Sequence, residues 1–167
     1  MIDPSELLAV ARDLADTRTG PPSQARLRRA VSTAYYALFH KVLRSAAERF
    51  MGPGQDSSAG YTILYRSFDH AHMKRVCEEL QPSTLKARLR AQLRRDAVSQ
   101  DTRNFTSNFP TLQDARHRAD YDPTARFLPS FASALIDAAE VSMDALDRID
   151  AEEKAAVLAL LMVRARP

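Results

Sequence analysis

Ala25 to Phe50, ARLRRAVSTAYYALFHKVLRSAAERF, decides how the rest of the chain is read. Leu27, Val31, Ala34, Tyr35, Leu38, Val42, Ala46 and Phe50 recur at three- and four-residue steps, the spacing that lays side chains along one stripe of a long helix. Such a stripe faces a core. Beside it run Arg29, Thr33, Tyr36, His40 and Arg44, again at helical spacing. Two cations, a phenol, a hydroxyl and an imidazole line the margin of a buried face, and this edge is the first candidate for function.

Working outward, Asp3-Pro4-Ser5-Glu6 reads as a helix start, with Asp3 as cap, Glu6 reaching back and Ile2 against Leu7 as a staple. That first helix runs to about Thr17. Gly20-Pro21-Pro22 breaks the chain and Ser23 caps the long helix. Beyond Met51, the small and polar run from Gly52 to Gly60 reads as a mobile loop. Leu64, Phe68, Ala71, Val76 and Leu80 predict one helix over 61–80, closed by Gln81-Pro82. Ser83 then caps a segment with Leu85, Leu89, Leu93 and Ala97 at a four-residue step. Its cations Lys86, Arg88, Arg90, Arg94 and Arg95 suit either a phosphate-binding face or a solvated surface.

Residues 99–110 are polar and read as a loop, followed by a short helix from Leu112 to Ala119. Asp122 and Pro123 open a helix to about Ile149, whose Phe127, Phe131, Leu135, Ala138, Ala139, Ser142, Leu146 and Ile149 share a face that packs on the long helix. Asp150 with Glu153 has the spacing of a capping box and starts a last helix, apolar nearly all round from Ala155 to Val163. The expected architecture is an all-α, up-and-down bundle of five or six helices over 1–150. The apolar helix over 151–167 then serves as a packing or oligomer contact.

At 167 residues, with 45% apolar and 27% charged content, the chain suits one folded domain. A net charge of +3 permits RNA or a nucleotide as partner without requiring one. Cys77 alone cannot form an internal disulfide, no Cys/His spacing suits a metal, and no apolar run suits a membrane span. A soluble cytoplasmic protein without cofactor or metal is the expectation. His70 and His72 stand two apart and cannot share a helix face, so they and His117 read as exposed.

The run Arg29-Ala30-Val31-Ser32-Thr33-Ala34-Tyr35-Tyr36-Ala37-Leu38-Phe39-His40 resembles the signature of HEPN domains, in particular a small prokaryotic branch with a Ser-Arg-Ala-Tyr-Tyr-Ala-x-Phe-His helix. Leu112, Arg116 and Ala119-Asp120-Tyr121 resemble that branch's Leu-x-x-x-Arg-x-x-Ala-Asp-Tyr segment. The resemblance implies a helical bundle that dimerises, docks a nucleotidyltransferase-like partner in toxin–antitoxin pairs and, in many members, cleaves RNA without metal through an Arg-x(4–6)-His motif. The motif is degenerate here. Arg103-Asn104 begins it but Asn108 holds the histidine place, Tyr121 holds it counting from Arg116, and Thr33 stands where the first signature has arginine. Arg66-x5-His72 fits the spacing only formally.

The catalytic candidates are therefore His40 as base, Arg116 as cation and Tyr121 beside it, with Arg29, Tyr36, Arg44 and Asp120 as binding residues. Each also has a structural reading. His40 can be a hydrogen-bonded histidine, Tyr36 can bond Asp120 or Arg116 at a helix crossing, and Arg116 with Asp120 has the spacing of a helical ion pair. Tyr35 and Phe39 read as core.

Overall fold

The computed structural model describes residues 2–18 and 20–163. Among the described residues the chain is all-α, with eight helices and no strand: α1 Pro4–Ala15, α2 Gln24–Met51, α3 Ala59–Arg66, α4 His70–Leu80, α5 Ala87–Leu93, α6 Gln100–Tyr121, α7 Pro129–Arg148 and α8 Ala151–Met162. No helix among them is long and apolar enough to cross a membrane. The helices number eight, not five or six: the element expected over 61–80 is two helices, and α8 adds to those expected over 1–150.

The capping chemistry is plain in the starts. Asp3 accepts from Ser5 N–H, Ser23 from Arg26 N–H, Ser58 from Tyr61 N–H, Asp69 from His72 N–H and Ser99 from Thr102 N–H. Asp69 is also why 61–80 is two helices. Ser67 closes α3 by returning its hydroxyl to Leu64 O, and Asp69 restarts the chain as α4.

α2 is the axis of the bundle, with α1, α6 and α7 along it and α3 and α8 against its later turns. Leu27, Val31, Ala34, Tyr35, Leu38, Val42 and Ala46 are buried as expected, whereas Phe50 is 43% exposed past the end of the packed region. Burial is wider than one stripe. Ala30, Ala37 and Ala47 are also at 0%, and their small side chains let neighbouring helices approach on several sides. Each large apolar side chain removed from water contributes about 1.5–3 kcal/mol.

The polar stretch 99–110 is not a loop but the first half of α6. Phe105, Phe109 and Leu112 follow the helical repeat into the core at 0% exposure, and the polar appearance came from Thr102 and Thr106, which are buried. Thr102 bonds Glu153 and Thr106 returns its hydroxyl to Arg103 O. Pro110 sits inside this helix and cannot donate to the carbonyl of Thr106 one turn back. Gln81, at the end of α4, supplies the missing donor at 3.0 Å. Gln81→Ala is thus expected to cost about 1 kcal/mol, and nothing in a Pro110→Ala background, where the backbone can close the bond itself. A denaturation double-mutant cycle reads this; equal costs in both backgrounds would contradict it.

α7 starts at Pro129, not Pro123. Asp122 instead ends α6 and accepts from Thr124 N–H and Oγ1, holding 122–128 in a turn. α7 packs on α2 and α6 through Leu135, Ala139, Ser142 and Leu146, with Phe131 left 44% exposed. α1 stops at Ala15, short of Thr17, and the segment expected from Ser83 is the brief α5, which starts after Lys86 without a side-chain cap and ends at Arg94 in the left-handed region, φ 55°.

α8 belongs to the same core. Val157, Leu158 and Leu161 are at 0% and meet α2 and α4. Asp150 caps it, but Glu153 does not close the expected box. Its carboxylate turns inward and accepts from Ser99 N–H (2.8 Å), Thr102 Oγ1 (2.7 Å) and Arg95. Residues 164–167 of the expected tail lie outside the described residues.

Candidate functional site

The α2–α6 crossing brings the two signature segments together. Tyr36 leaves the buried face of α2 toward α6, where Arg116 donates from Nη2 to its hydroxyl. The guanidinium also lies over the Tyr36 and Tyr121 rings, 5.2 Å from each centroid, within cation–π range. Nε of Arg116 stands 2.8 Å from Asp120 Oδ2, but off the N–H axis, so the contact is an ion pair and not a directed hydrogen bond. Asp120 accepts in turn from the buried Ser32 hydroxyl at 3.2 Å. Tyr36, Arg116, Asp120 and Tyr121 therefore form one cluster.

His40 joins this cluster through Tyr36, whose ring stacks with it at 6.2 Å. Its Nδ1 is 2.7 Å from the Tyr65 hydroxyl, and the Tyr65 ring stacks on its other side at 5.8 Å. Burial, and then the nearby His70, lower the His40 pKa below the ordinary histidine value. Burial pushes the Tyr65 phenol up to about 12.

Arg29 and Arg44 do not join. Arg29 is exposed on α2, and Arg44 is tied to Glu48 at 2.8 Å, one turn further on. Thr33 is buried at 8% and is not part of the polar edge. The neighbouring Arg28 does what no sequence signal announced. Its guanidinium donates to the carbonyls of Ala119 (2.8 Å), Asp122 (2.6 Å) and Ala125 (3.3 Å), fixing the end of α6 on which Asp120 and Tyr121 stand.

His70 and Tyr65 are the residues that sequence reasoning missed. His70, expected on an exposed face, is half-buried at the start of α4, 2.5 Å through Nδ1 from the hydroxyl of Tyr35 and stacked on Phe39 with centroids 4.2 Å apart. Burial, and then the charge of Arg116, lower its pKa. His72 is buried instead of exposed. Its Nε2 donates to Leu160 O while Arg75 donates to its Nδ1, a link between α4 and α8 that removes it from the formal Arg66–His72 pair.

His70 and Arg116 both line a cavity of about 410 Å³ between α4 and α6, together with Tyr35, Lys74, Gln113 and His117. That is room for a nucleotide-sized group. A larger cavity, about 520 Å³, lies between the end of α1 and the start of α7; its cations Arg12 and Arg18 are paired with Asp137, Glu140 and Asp16, as Arg116 and Lys74 of the first are with Asp120 and Asp114, but no imidazole lines it. The basic stretch 86–95 is similarly engaged, with Arg88 on Glu79, Arg90 on Asp96 and Arg95 on Glu153. Among the described residues no three His, Cys, Asp or Glu side chains gather as a metal site.

Two histidines with depressed pKa values make stability depend on pH. Below about 6.5 the unfolded chain takes up protons that the folded His40 and His70 resist, so their contribution is full above that value and lost on acidification. The melting temperature is expected to fall between pH 7 and pH 5, before ordinary carboxylates titrate, and to fall less in a His40→Gln variant. A flat profile over that interval would contradict the assignment.

In comparison with known proteins, no family model, curated protein or solved structure matches the chain. The functional reading rests on the geometry of this crossing.

Proposed function

We propose that the chain is a HEPN-like RNA- or nucleotide-associated protein of a prokaryotic toxin–antitoxin or defence system, acting as a metal-independent endoribonuclease. The observation that carries this reading is the meeting of the two signature segments, Tyr36 with Arg116, beside an imidazole of lowered pKa. Cleavage at a ribose needs a base for the 2′-hydroxyl and a cation for the phosphorane. The Tyr65 hydroxyl oxygen can accept from His40 Nδ1–H. Nε2 of His40 then keeps a lone pair and takes the 2′-proton. The 2′-oxygen bonds to phosphorus, Arg116 holds the charge, and the P–O5′ bond breaks as the 5′-oxygen gains a proton from water. Tyr121, 63% exposed, offers a face for a base to stack on. The test is incubation with single-stranded RNA in a chelator. Fragments ending in a 2′,3′-cyclic phosphate are expected, reduced in His40→Ala and Arg116→Ala; undiminished cleavage in both variants would overturn the site.

Two observations favour a second reading, a non-catalytic homodimeric module that docks a nucleotidyltransferase-like partner. Asp120 already balances the charge of Arg116, and an apolar groove of about 340 Å³ between α5 and α8 is edged by Leu93, Leu160 and Val163. Because α8 is part of the core, deletion after Asp150 would unfold the chain, and Val163→Asp is the cleaner change. Under this reading it lowers the mass in solution while RNA stays intact; an unchanged mass removes the groove from the argument.

A further inference from the structure

Tyr35 is at 0% exposure, and the hydroxyl of this buried phenol has one partner among the described residues, His70 Nδ1, at 2.5 Å. A buried hydroxyl that keeps its hydrogen must give it to an acceptor, and here the acceptor is a ring nitrogen. Burial holds the phenol protonated far above neutrality, so the hydrogen stays with Tyr35. His70 Nδ1 must then carry the lone pair, and the ring hydrogen sits on Nε2. The same tautomer is disfavoured from switching, because an Nδ1–H would face the O–H of Tyr35 and leave that hydrogen without an acceptor. The same constraint is not imposed on His40, because its partner Tyr65 is partly buried where Tyr35 is at 0%. The two imidazoles share the Tyr36 and Phe39 rings as neighbours yet differ in what their free nitrogens can do.

We propose that His70, held by Tyr35 as the neutral Nε2–H tautomer, is a phosphoryl-oxygen donor of the RNA site, working beside Arg116 at the cavity between α4 and α6. The inference rests on the reading that this site takes RNA, and it adds a residue and a role to it. A neutral donor suits the place. An imidazolium sharing this cavity with the Arg116 guanidinium would be repelled by it, whereas a neutral N–H adds a hydrogen bond to an anionic oxygen without adding charge. Phe39 stacked on the ring fixes its plane, and Tyr35 fixes which nitrogen donates, so the donor is set before RNA arrives. Tyr35 is a positioning residue here and touches no ligand.

The experiment has two parts. Nitrogen-15 spectra of the intact protein at neutral pH should show His70 with an unprotonated Nδ1 and a protonated Nε2, and Tyr35→Phe should release the ring to a mixture of tautomers. Binding of a fluorescent single-stranded oligoribonucleotide should weaken roughly tenfold or more in His70→Ala, the scale of a hydrogen bond to a charged group. It should be substantially recovered in His70→Gln, whose amide keeps a donor near the Nε2 position, and weakened in Tyr35→Phe with the fold intact by circular dichroism. A protonated Nδ1 in the wild-type spectrum, or unchanged RNA affinity in His70→Ala while His40→Ala or Arg116→Ala loses it, would overturn the role of His70 and leave the RNA site standing. Absence of RNA binding by the wild-type protein would overturn the underlying reading and this inference with it.

Discussion

Glu153→Ala is expected to lower the unfolding free energy by about 3–5 kcal/mol, the cost of removing one partner from a buried charged network. The carboxylate is at 0% exposure and accepts from the Ser99 amide, the Thr102 hydroxyl and Arg95. Its loss leaves the buried Thr102 hydroxyl and the part-buried Ser99 amide at the start of α6 without this acceptor and leaves Arg95 with the longer 3.8 Å contact to Asp150, so that α8 is loosened from both. Domains of this kind are held by only about 5–15 kcal/mol in total, so the variant would sit near the edge of folding. Asp150→Ala, which removes a helix cap and a 3.8 Å contact with Arg95, should cost about 1 kcal/mol. Urea denaturation of the two variants separates them. A Glu153→Ala loss no greater than that of Asp150→Ala would show that the carboxylate is not the tie described here.

The second large effect is on activity. His40→Ala should slow metal-free RNA cleavage by roughly 10²–10⁴-fold, the usual contribution of a positioned base, and Arg116→Ala by roughly 10²–10³-fold for loss of the charge on the phosphorane. The two should differ in the folded state. His40 hangs on Tyr65 and Tyr36, and its removal leaves the α2–α6 crossing in place. Arg116 joins Tyr36, Asp120 and Tyr121, so Arg116→Ala also loosens the crossing. Arg116→Lys keeps a charge but not the flat face between two rings, and should recover little. Single-turnover rates with melting curves on the same samples distinguish a chemical loss from an unfolded one. Equal rates for wild type and His40→Ala would remove the base from the mechanism.

Much of the bundle was legible because it is written in local chemistry. The α2 stripe and the caps at Asp3, Ser23 and Asp150 each report on a few neighbouring positions, and, the exposed Phe50 apart, each holds in the structure. The sequence reading failed where a distant residue decides. Residues 99–110 looked like a loop because Thr102 and Thr106 are polar and Pro110 breaks helices, but Glu153 and Gln81, far along the chain in either direction, satisfy what those residues leave open. Pro123 looked like a helix start because Asp122 precedes it, yet Asp122 bonds forward to Thr124 and the next helix waits for Pro129.

The site divides the same way. Tyr36 was read from its spacing on α2, Arg116, Asp120 and Tyr121 from the resemblance of their segment to a known signature, and the crossing joins them. Arg29 and Arg44 shared the α2 edge in sequence, but an edge 28 residues long passes several neighbours: Arg29 is left exposed and Arg44 pairs with Glu48 on its own helix. His70 could not be found from α4 alone, since its value comes from Tyr35 on α2 beneath it.

The chain has four histidines, and they report on the central claim without any substitution. Their side-chain resonances, followed during titration with a single-stranded oligoribonucleotide, test directly whether RNA enters the crossing of α2, α4 and α6. The account predicts that His40 and His70 shift together and saturate with binding, while His72, buried against Leu160 under α8, stays still. RNA that binds and moves neither His40 nor His70 would contradict it.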